Sequence, residues 1–169
     1  MRGNIVASER PSQADCEIVW TKITHERGAI TFGVFSRQPT STDEIMDQLS
    51  ISMNNLRELN GLDGKHVVLG GDFNLPDIDW SDGSIKPYPQ YARCISEKML
   101  DIVDDYNLTQ MVHEPTRMEH TLDLVFTTHP DLIENTYVVP GMSDHSAVIC
   151  NINFKLTPPK KNPENCFCL

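Results

Sequence analysis

Residues 70–74 (GGDFN) place a carboxylate and a carboxamide directly after an apolar run. Asn74 follows Asp72 by two positions, so both side chains lie on the same side of an extended backbone. Such a pair suits phosphate chemistry, because the carboxylate can polarise a water or bind a cation while the carboxamide donates to a phosphoryl oxygen. Glycine, aspartate and asparagine also favour turns, so a simple turn is the alternative interpretation.

A second carboxylate, Asp123, lies inside the otherwise apolar segment 121–127. Burying this group without a partner would cost free energy, so it needs a cation or a hydrogen-bond donor. The sequence therefore offers Asp123 as part of a polar site. The alternative is a structural aspartate that accepts hydrogen bonds from neighbouring backbone amides.

A third candidate is the pair Asp144 and His145, which opens a short apolar run. An Asp–His step close to a separate buried aspartate can form an oriented imidazole whose protonated form is stabilised. A solvated loop is the alternative. The remaining histidines show no ligand spacing, which favours surface or structural roles for His25, His66, His113, His120 and His129.

Hydrophobic patterning predicts the elements that hold these residues. A helix is predicted after residues 41–44, a capping box with Ser41 as N-cap, and its apolar face is Ile45, Leu49, Met53 and Leu56. Gly61 is the predicted stop of that helix. Segment 75–89 is predicted as a loop, and a second helix over 89–106 buries Tyr91, Ile95, Met99, Ile102 and Tyr106. Strands are predicted at 16–23, 29–35, 66–72, 108–112, 121–127 and 145–154.

Strands that alternate with two helices indicate an α/β fold, a mixed sheet with flanking helices. The first two strands are expected to form an antiparallel pair. The polar candidates follow strand ends or lie between strands, where such sheets place their sites. We expect one domain over residues 16–154, between a disordered lead-in (1–15) and a disordered tail (155–169).

Composition limits the class of protein. The 169 residues carry a net charge of −10, which argues against a simple DNA-binding module because such modules present a basic face. The charge is compatible with a site of acidic metal ligands. No apolar run could cross a membrane and no signal peptide is evident. The five cysteines are an odd, scattered set, which indicates reduced thiols and an intracellular location, nucleus or cytoplasm.

Together the three motifs, in this order, resemble the endonuclease/exonuclease/phosphatase superfamily. Residues 66–80 (HVVLGGDFNLPDIDW), 114–117 (EPTR) and 143–145 (SDH) look like its non-LTR (LINE-type) retrotransposon endonuclease branch in particular. The resemblance covers about residues 16–154. It implies part of a DNase I-like four-layer α/β sandwich and a metal-dependent phosphodiester hydrolase that nicks DNA.

The resemblance also implies residue roles. Asp72 would position or deprotonate the attacking water, and Asn74 would hold the scissile phosphate. Asp123 would orient His145, which would stabilise phosphoryl charge or transfer a proton. Asp144, with Asp72, would act at a Mg²⁺ or Mn²⁺ ion that serves as Lewis acid and template. DNA is the implied partner, and no membrane is involved. The oligomeric state is left open.

The chain departs from the family pattern in two ways. Ser36 stands where the family's Tyr-x-Pro motif has its tyrosine, in residues 35–39 (FSRQP). The family's metal-binding glutamate and an early asparagine belong on strands that should precede residue 16, and neither Glu9 nor Glu17 fits the glutamate's role. The sequence thus predicts a truncated domain whose early strands are missing. Its activity would be impaired. Two alternatives stay open, a catalytically dead retroelement remnant and a phosphatase of the same superfamily.

Overall fold

The computed structural model describes residues 17–25, 28–60, 66–88, 92–141 and 143–153. The fold is α/β, as predicted. Its elements follow one another along the chain as β1 (Glu17–His25), β2 (Gly28–Ser36), α1 (Glu44–Asn60), β3 (His66–Asp72), β4 (Ile78–Asp79), β5 (Ser84–Ile85), α2 (Arg93–Asp105), β6 (Thr109–Gln110), β7 (Asp123–Thr127), β8 (Ile133–Val139) and β9 (Ala147–Ile152). A single 3₁₀ turn, Pro130–Leu132, connects β7 to β8.

The central layer is a five-stranded mixed sheet in the order β1-β2-β3-β7-β6. β1 and β2 form the predicted antiparallel pair, while β2 and β3 run parallel and β7 is antiparallel to β3. The apolar run in β3 is continuous because both faces of the sheet are covered there. Leu69 packs on the helix side and Val68 packs on the opposite side.

Both helices cover one face of this sheet. The apolar spacing in α1 buries Met46, Leu49 and Met53, and α2 buries Ile95, Met99 and Ile102 against the same core. The predicted faces are confirmed, but the predicted N-cap at Ser41 is wrong, because α1 begins at Glu44. The amide of Ser41 donates to the carbonyl of Gln38 and is therefore not available for a capping box.

A two-stranded antiparallel sheet, β8–β9, covers part of the opposite face. Its inward side chains, Val138, Val148 and Ile152, pack on a cluster of the main sheet formed by Ile30, Val68 and Val125. The described residues therefore form three layers, in the order helices, main sheet and second sheet. This arrangement puts the loop before β9 beside the end of the main sheet that carries Asp72 and Asp123.

Other sequence predictions need correction. The predicted loop 75–89 contains the short hairpin β4–β5. Strand β8 was missed, since most of its side chains are at least partly exposed and an irregularity at Asn135 interrupts its pairing. The last strand begins at Ala147, so His145 lies in the loop before it.

Several predictions fall outside the described residues. These are the helix stop at Gly61, Tyr91 of the second helix, the strand end at Phe154, the lead-in and the tail. Neither described helix combines the length and the apolar composition that crossing a bilayer requires.

Candidate functional site

Strand pairing aligns three polar residues at one end of the main sheet. Ser36, the last residue of β2, is in register with Asp72, the last residue of β3. Asp72 is in turn in register with Asp123, the first residue of β7. Residues directly opposite each other on paired strands project to the same face. The side chains of Ser36, Asp72 and Asp123 therefore form a row on the face that β8–β9 partly covers.

Gly71 gives β3 the backbone conformation that places Asp72 between Ser36 and Asp123. Its φ is 142°, a conformation that residues with a Cβ rarely adopt. A Cβ on Gly71 would lie only 1.9 Å from the carbonyl oxygen of Phe35 in β2. A side chain here would therefore force β2 and β3 apart directly beside the row.

The turn after β3 places Asn74 within hydrogen-bonding distance of the Asp72 carboxylate. Asn74 has a φ of 51°, a left-handed conformation that asparagine tolerates better than most residues. Its backbone amide donates to Oδ1 of Asp72 at 3.1 Å, and its side-chain amide donates to Oδ2 at 2.9 Å. The predicted turn and the predicted polar pair are thus the same structure.

Arg37 is buried beneath this turn and stabilises it by hydrogen bonds. Its Nη1 donates to the carbonyl of Asn74 at 2.8 Å, and Nδ2 of Asn74 donates back to the carbonyl of Arg37 at 3.0 Å. The amide of Arg37 also donates to the carbonyl of Asp72 at 2.9 Å. Arg37 is 1% exposed, so these bonds are shielded from water and fix the site residues in place.

His145 meets the row from the loop before β9. Its Nδ1 lies 2.9 Å from Oδ2 of Asp123. A carboxylate can only accept a hydrogen bond, so Nδ1 carries the proton and Nε2 is the nitrogen left for other chemistry. The backbone of Gly141 packs against this loop, because a Cβ there would lie 2.0 Å from the carbonyl oxygen of His145.

Thr116 forms hydrogen bonds both with the strand that carries Asp123 and with the loop that carries His145. Its buried hydroxyl accepts hydrogen bonds from the amides of Leu122 and Asp123, each at 3.0 Å. Its carbonyl accepts a bond from the amide of Ser146 at 2.7 Å. The start of β7 and the loop that carries His145 are therefore anchored on one residue.

Asp72, Asp123 and His145 form a compact group. One ligand atom from each lies within 4.8 Å of the others. Burial raises the pKa of Asp72, and the neighbouring carboxylate of Asp123 raises it further, against the lowering effect of His145, the Asn74 amide and Arg117. The charged form of Asp72 is therefore less favourable here than in water, and a cation next to it would relieve this cost.

The donor set fits a hard divalent cation. Two carboxylates supply oxygen atoms, the ligands that Mg²⁺ and Mn²⁺ prefer, and Mg²⁺ commonly takes only one or two carboxylates from a protein. Among the described residues this group consists of Asp72, Asp123 and His145. Asp144, the other predicted metal residue, is not part of it.

Asp144 instead pairs with an arginine at the rim of the group. Its Oδ2 lies 2.6 Å from Nη2 of Arg117, and its side chain is 65% exposed. The structure thus gathers Asp72, Asn74, Asp123 and His145 around one sheet end, with Asp144 beside them. The roles assigned to all five residues remain predictions.

Three contributors to the site escaped the sequence prediction. Arg37 belongs to the segment around Ser36, and Thr116 and Arg117 belong to residues 114–117 (EPTR), but no sequence pattern gives any of the three a role of its own. Nothing in the local pattern marks Arg37 as buried, since arginines are mostly exposed. Of the acids considered as substitutes for the family's glutamate, Glu17 lies exposed at the start of β1, opposite Ser36. Glu9 lies outside the described residues.

Comparisons with known proteins identify the family and the fold. The sequence profile of the endonuclease-reverse transcriptase family matches residues 32–149. The fold is similar to the endonuclease domain of TRAS1, a telomere-specific non-LTR retrotransposon, with a TM-score of 0.63 and 20% identity over 82% of this chain and 64% of that one. No curated protein sequence matches the chain.

Two bacterial structures share the fold. A Leptotrichia buccalis protein of the endonuclease/exonuclease/phosphatase family superposes with a TM-score of 0.55 and 17% identity, over 81% of this chain and 54% of that one. A mannosyl-6-phosphatase of Bacteroides thetaiotaomicron has a TM-score of 0.55 and 13% identity, over 81% of this chain and 57% of that one. The chain thus spans between 54% and 64% of these three structures.

Proposed function

Since the chain belongs to the endonuclease-reverse transcriptase family, of the endonuclease/exonuclease/phosphatase superfamily, we propose that it carries the phosphodiester-cutting site of a LINE-type retrotransposon endonuclease, which nicks DNA. The observation that supports this most is the single constellation made by Asp72, Asn74, Asp123 and His145. A hydrolase of phosphodiesters needs a water activator, a phosphate holder and a stabiliser of developing charge. The constellation offers a residue for each task.

Asp123 and His145 form the charge-stabilising pair. Asp123 accepts from Nδ1 of His145, which fixes the orientation of the ring and the position of its Nδ1 proton. Nε2 can then accept a proton, and once it carries that proton it can donate to a phosphoryl oxygen. Because both side chains are only 23% exposed, water screens this interaction less than it would at an open surface.

Asp72 and Asn74 form the second pair. Asp72, whose pKa is raised by burial and by Asp123, can accept a proton from an attacking water. Asn74 is held in its turn by Arg37. Its side-chain amide donates one hydrogen to the carbonyl of Arg37 and the other to Asp72, so a scissile phosphate would take the place of Asp72 as the second acceptor. A bound Mg²⁺ or Mn²⁺ would supply Lewis-acid stabilisation of the phosphate charge.

A catalytically inert remnant is the second candidate, and Ser36 favours it. Ser36 is in register with Asp72, so it lies in the row at the position where the family's tyrosine would approach the phosphate. A serine hydroxyl does not reach as far as a tyrosine hydroxyl. Loss of one preorganised stabilising group typically lowers turnover by about 10²–10³.

Nicking of supercoiled plasmid by the purified chain, with Mg²⁺ or Mn²⁺, tests the proposal. We expect nicking that falls by about 10²-fold or more in His145→Ala and Asp123→Asn. Arg93→Gln is the matched control, because Arg93 forms an exposed ion pair with Glu97 on α2. Nicking that His145→Ala leaves unchanged would come from a contaminant. A folded chain that does not nick would support the remnant.

A further inference from the structure

Arg117 is held rigidly beside the candidate site. Its amide donates to the carbonyl of His120 at 3.0 Å, and the amide of His120 donates back to the carbonyl of Arg117 at 2.9 Å. This two-way bridge closes a tight turn that includes Met118 with a φ of 51°. The backbone that carries Arg117 therefore has little conformational freedom to lose when a ligand binds.

Thr116, the preceding residue, fixes that turn relative to the site. Its hydroxyl accepts from the amide of Asp123 and its carbonyl accepts from the amide of Ser146. Arg117 therefore follows directly on the residue that anchors both Asp123 and the His145 loop. Its position relative to those two side chains is set by the fold and does not depend on the surface ion pair that its own side chain makes.

The guanidinium of Arg117 is close to the site and accessible. Its partner Asp144 directly precedes His145 in the sequence, so the guanidinium lies beside the loop that carries that residue. Nη2 contacts Oδ2 of Asp144, while 38% of the Arg117 side chain is exposed. A guanidinium has five N–H donors in a planar fork. One exposed ion pair leaves this fork able to bind an anion, because such pairs contribute little free energy.

An approaching DNA strand needs such a cation here. Asp72, Asp123 and Asp144 are carboxylates, and the whole chain carries a net charge of −10, so the surroundings repel a phosphodiester. Arginine binds phosphate oxygens bidentately and thereby fixes position as well as charge. A cation at the rim would determine where the strand can lie.

We propose that Arg117 is a substrate-binding residue that holds a backbone phosphate of the DNA strand next to the phosphate to be cut. Asp144 keeps the guanidinium extended toward the site until the phosphate replaces it as a partner. This inference rests on the proposed function, since it presumes a DNA substrate. It gives residues 114–117 (EPTR) two tasks, with Thr116 anchoring the catalytic residues and Arg117 placing the strand.

Fluorescence anisotropy of a labelled double-stranded oligonucleotide, in metal-free buffer over a range of NaCl concentrations, tests the proposal without relying on turnover. We expect Arg117→Gln to weaken binding of unrelated sequences alike and to reduce the slope of log affinity against log salt by about 1, as loss of one phosphate contact should. Arg117→Lys should keep most of the slope because it keeps the charge. Arg93→Gln, the control already described, should bind as the wild type does.

The outcomes separate this inference from the proposed function. If the wild type nicks plasmid while Arg117→Gln binds with unchanged affinity and slope, Arg117 is only a surface ion pair and the inference is overturned, whereas the function stands. A chain that neither binds nor nicks DNA would overturn both. Thermal melts of all variants, followed by circular dichroism, check folding. Should Arg117→Gln unfold, Arg117→Met removes the same charge and keeps an unbranched side chain: a slope reduced by about 1 would support the proposal, and an unchanged slope would overturn it.

Discussion

Arg37 and Asn74 each donate a side-chain hydrogen bond to the other's backbone carbonyl, at 2.8 and 3.0 Å. The two residues belong to different connections, one after β2 and one after β3. Their reciprocal bonds join those connections directly beneath Asp72. The site end of the parallel pair β2–β3 is therefore fixed by a buried polar contact in addition to the sheet ladder.

We expect Arg37→Met to lower the free energy of unfolding by about 1–3 kcal/mol, because it leaves the buried carbonyl of Asn74 without this donor. Urea denaturation measures the loss. Arg57→Met is a matched control, since Nη2 of Arg57 also donates to a backbone carbonyl, that of Asp105 at 2.7 Å, but at an exposed position. Arg57 also lies over the ring of Tyr106, so its replacement should cost at most about 1 kcal/mol. Equal costs in the two variants would mean that burial of Arg37 is unimportant.

The position of Asp123 opposite Asp72 predicts that the charge of Asp123 affects the pKa of Asp72. Burial raises the pKa of Asp72, and the carboxylate of Asp123 raises it further. Asp123→Asn removes that negative charge, so we expect the pKa of Asp72 to fall toward its ordinary value. Carbon-13 NMR of the Asp72 carboxyl carbon in metal-free buffer measures this shift. Asp131→Asn, in the turn at the other end of β7, should leave the titration of Asp72 as it is. An upward or absent shift in Asp123→Asn would contradict the geometry of the row.

The sequence predicted Asp72 at the end of an apolar strand, where the structure has it, because apolar runs are a local signal. It predicted Asp123 inside a strand over residues 121–127, whereas β7 begins at Asp123. Their alignment was not predictable in the same way. It depends on the register between β3 and β7, which are separated by about 50 residues of chain, and register is a tertiary property. The pairing of His145 with Asp123 was expected only from the family resemblance.

Other sequence predictions were wrong or missing for identifiable physical reasons. Strand β8 escaped prediction because most of its side chains are at least partly exposed and it includes asparagine, a poor strand former. The predicted start of α1 is too early because the capping-box pattern takes no account of competing turns. The amide of Ser41 donates to the carbonyl of Gln38 in such a turn. Buried Arg37 had no local signal, since its environment is created by the two connections that meet at Asn74.

His66 at the start of β3 predicts a pH dependence of stability. Burial lowers its pKa below the ordinary value of 6.5, and the nearby His129 lowers it further. As the pH falls through about 6.5, the unfolded chain gains a proton on His66 before the folded chain does. Stability that is present above this pH is therefore lost as the pH falls toward the folded pKa. Between about pH 7 and pH 5.5, roughly the range in which histidine titrates, the free energy of unfolding should fall less in His66→Phe than in the wild type. Urea denaturation at each pH measures this difference. The same loss in both proteins would refute this.

Val19 and Val34 predict that the chain associates with itself at high concentration. They are paired across β1 and β2 and are 53% and 62% exposed, on the sheet face that β8–β9 covers only in part. Adjacent exposed apolar side chains favour association. The double variant Val19→Thr/Val34→Thr keeps the shape and strand propensity of both residues, so we expect weaker self-association in sedimentation velocity with a change in the free energy of unfolding under about 1 kcal/mol. Ile51→Thr, an exposed position on α1, is the control and should associate as the wild type does. Unchanged association in the double variant would show that another surface makes the contact.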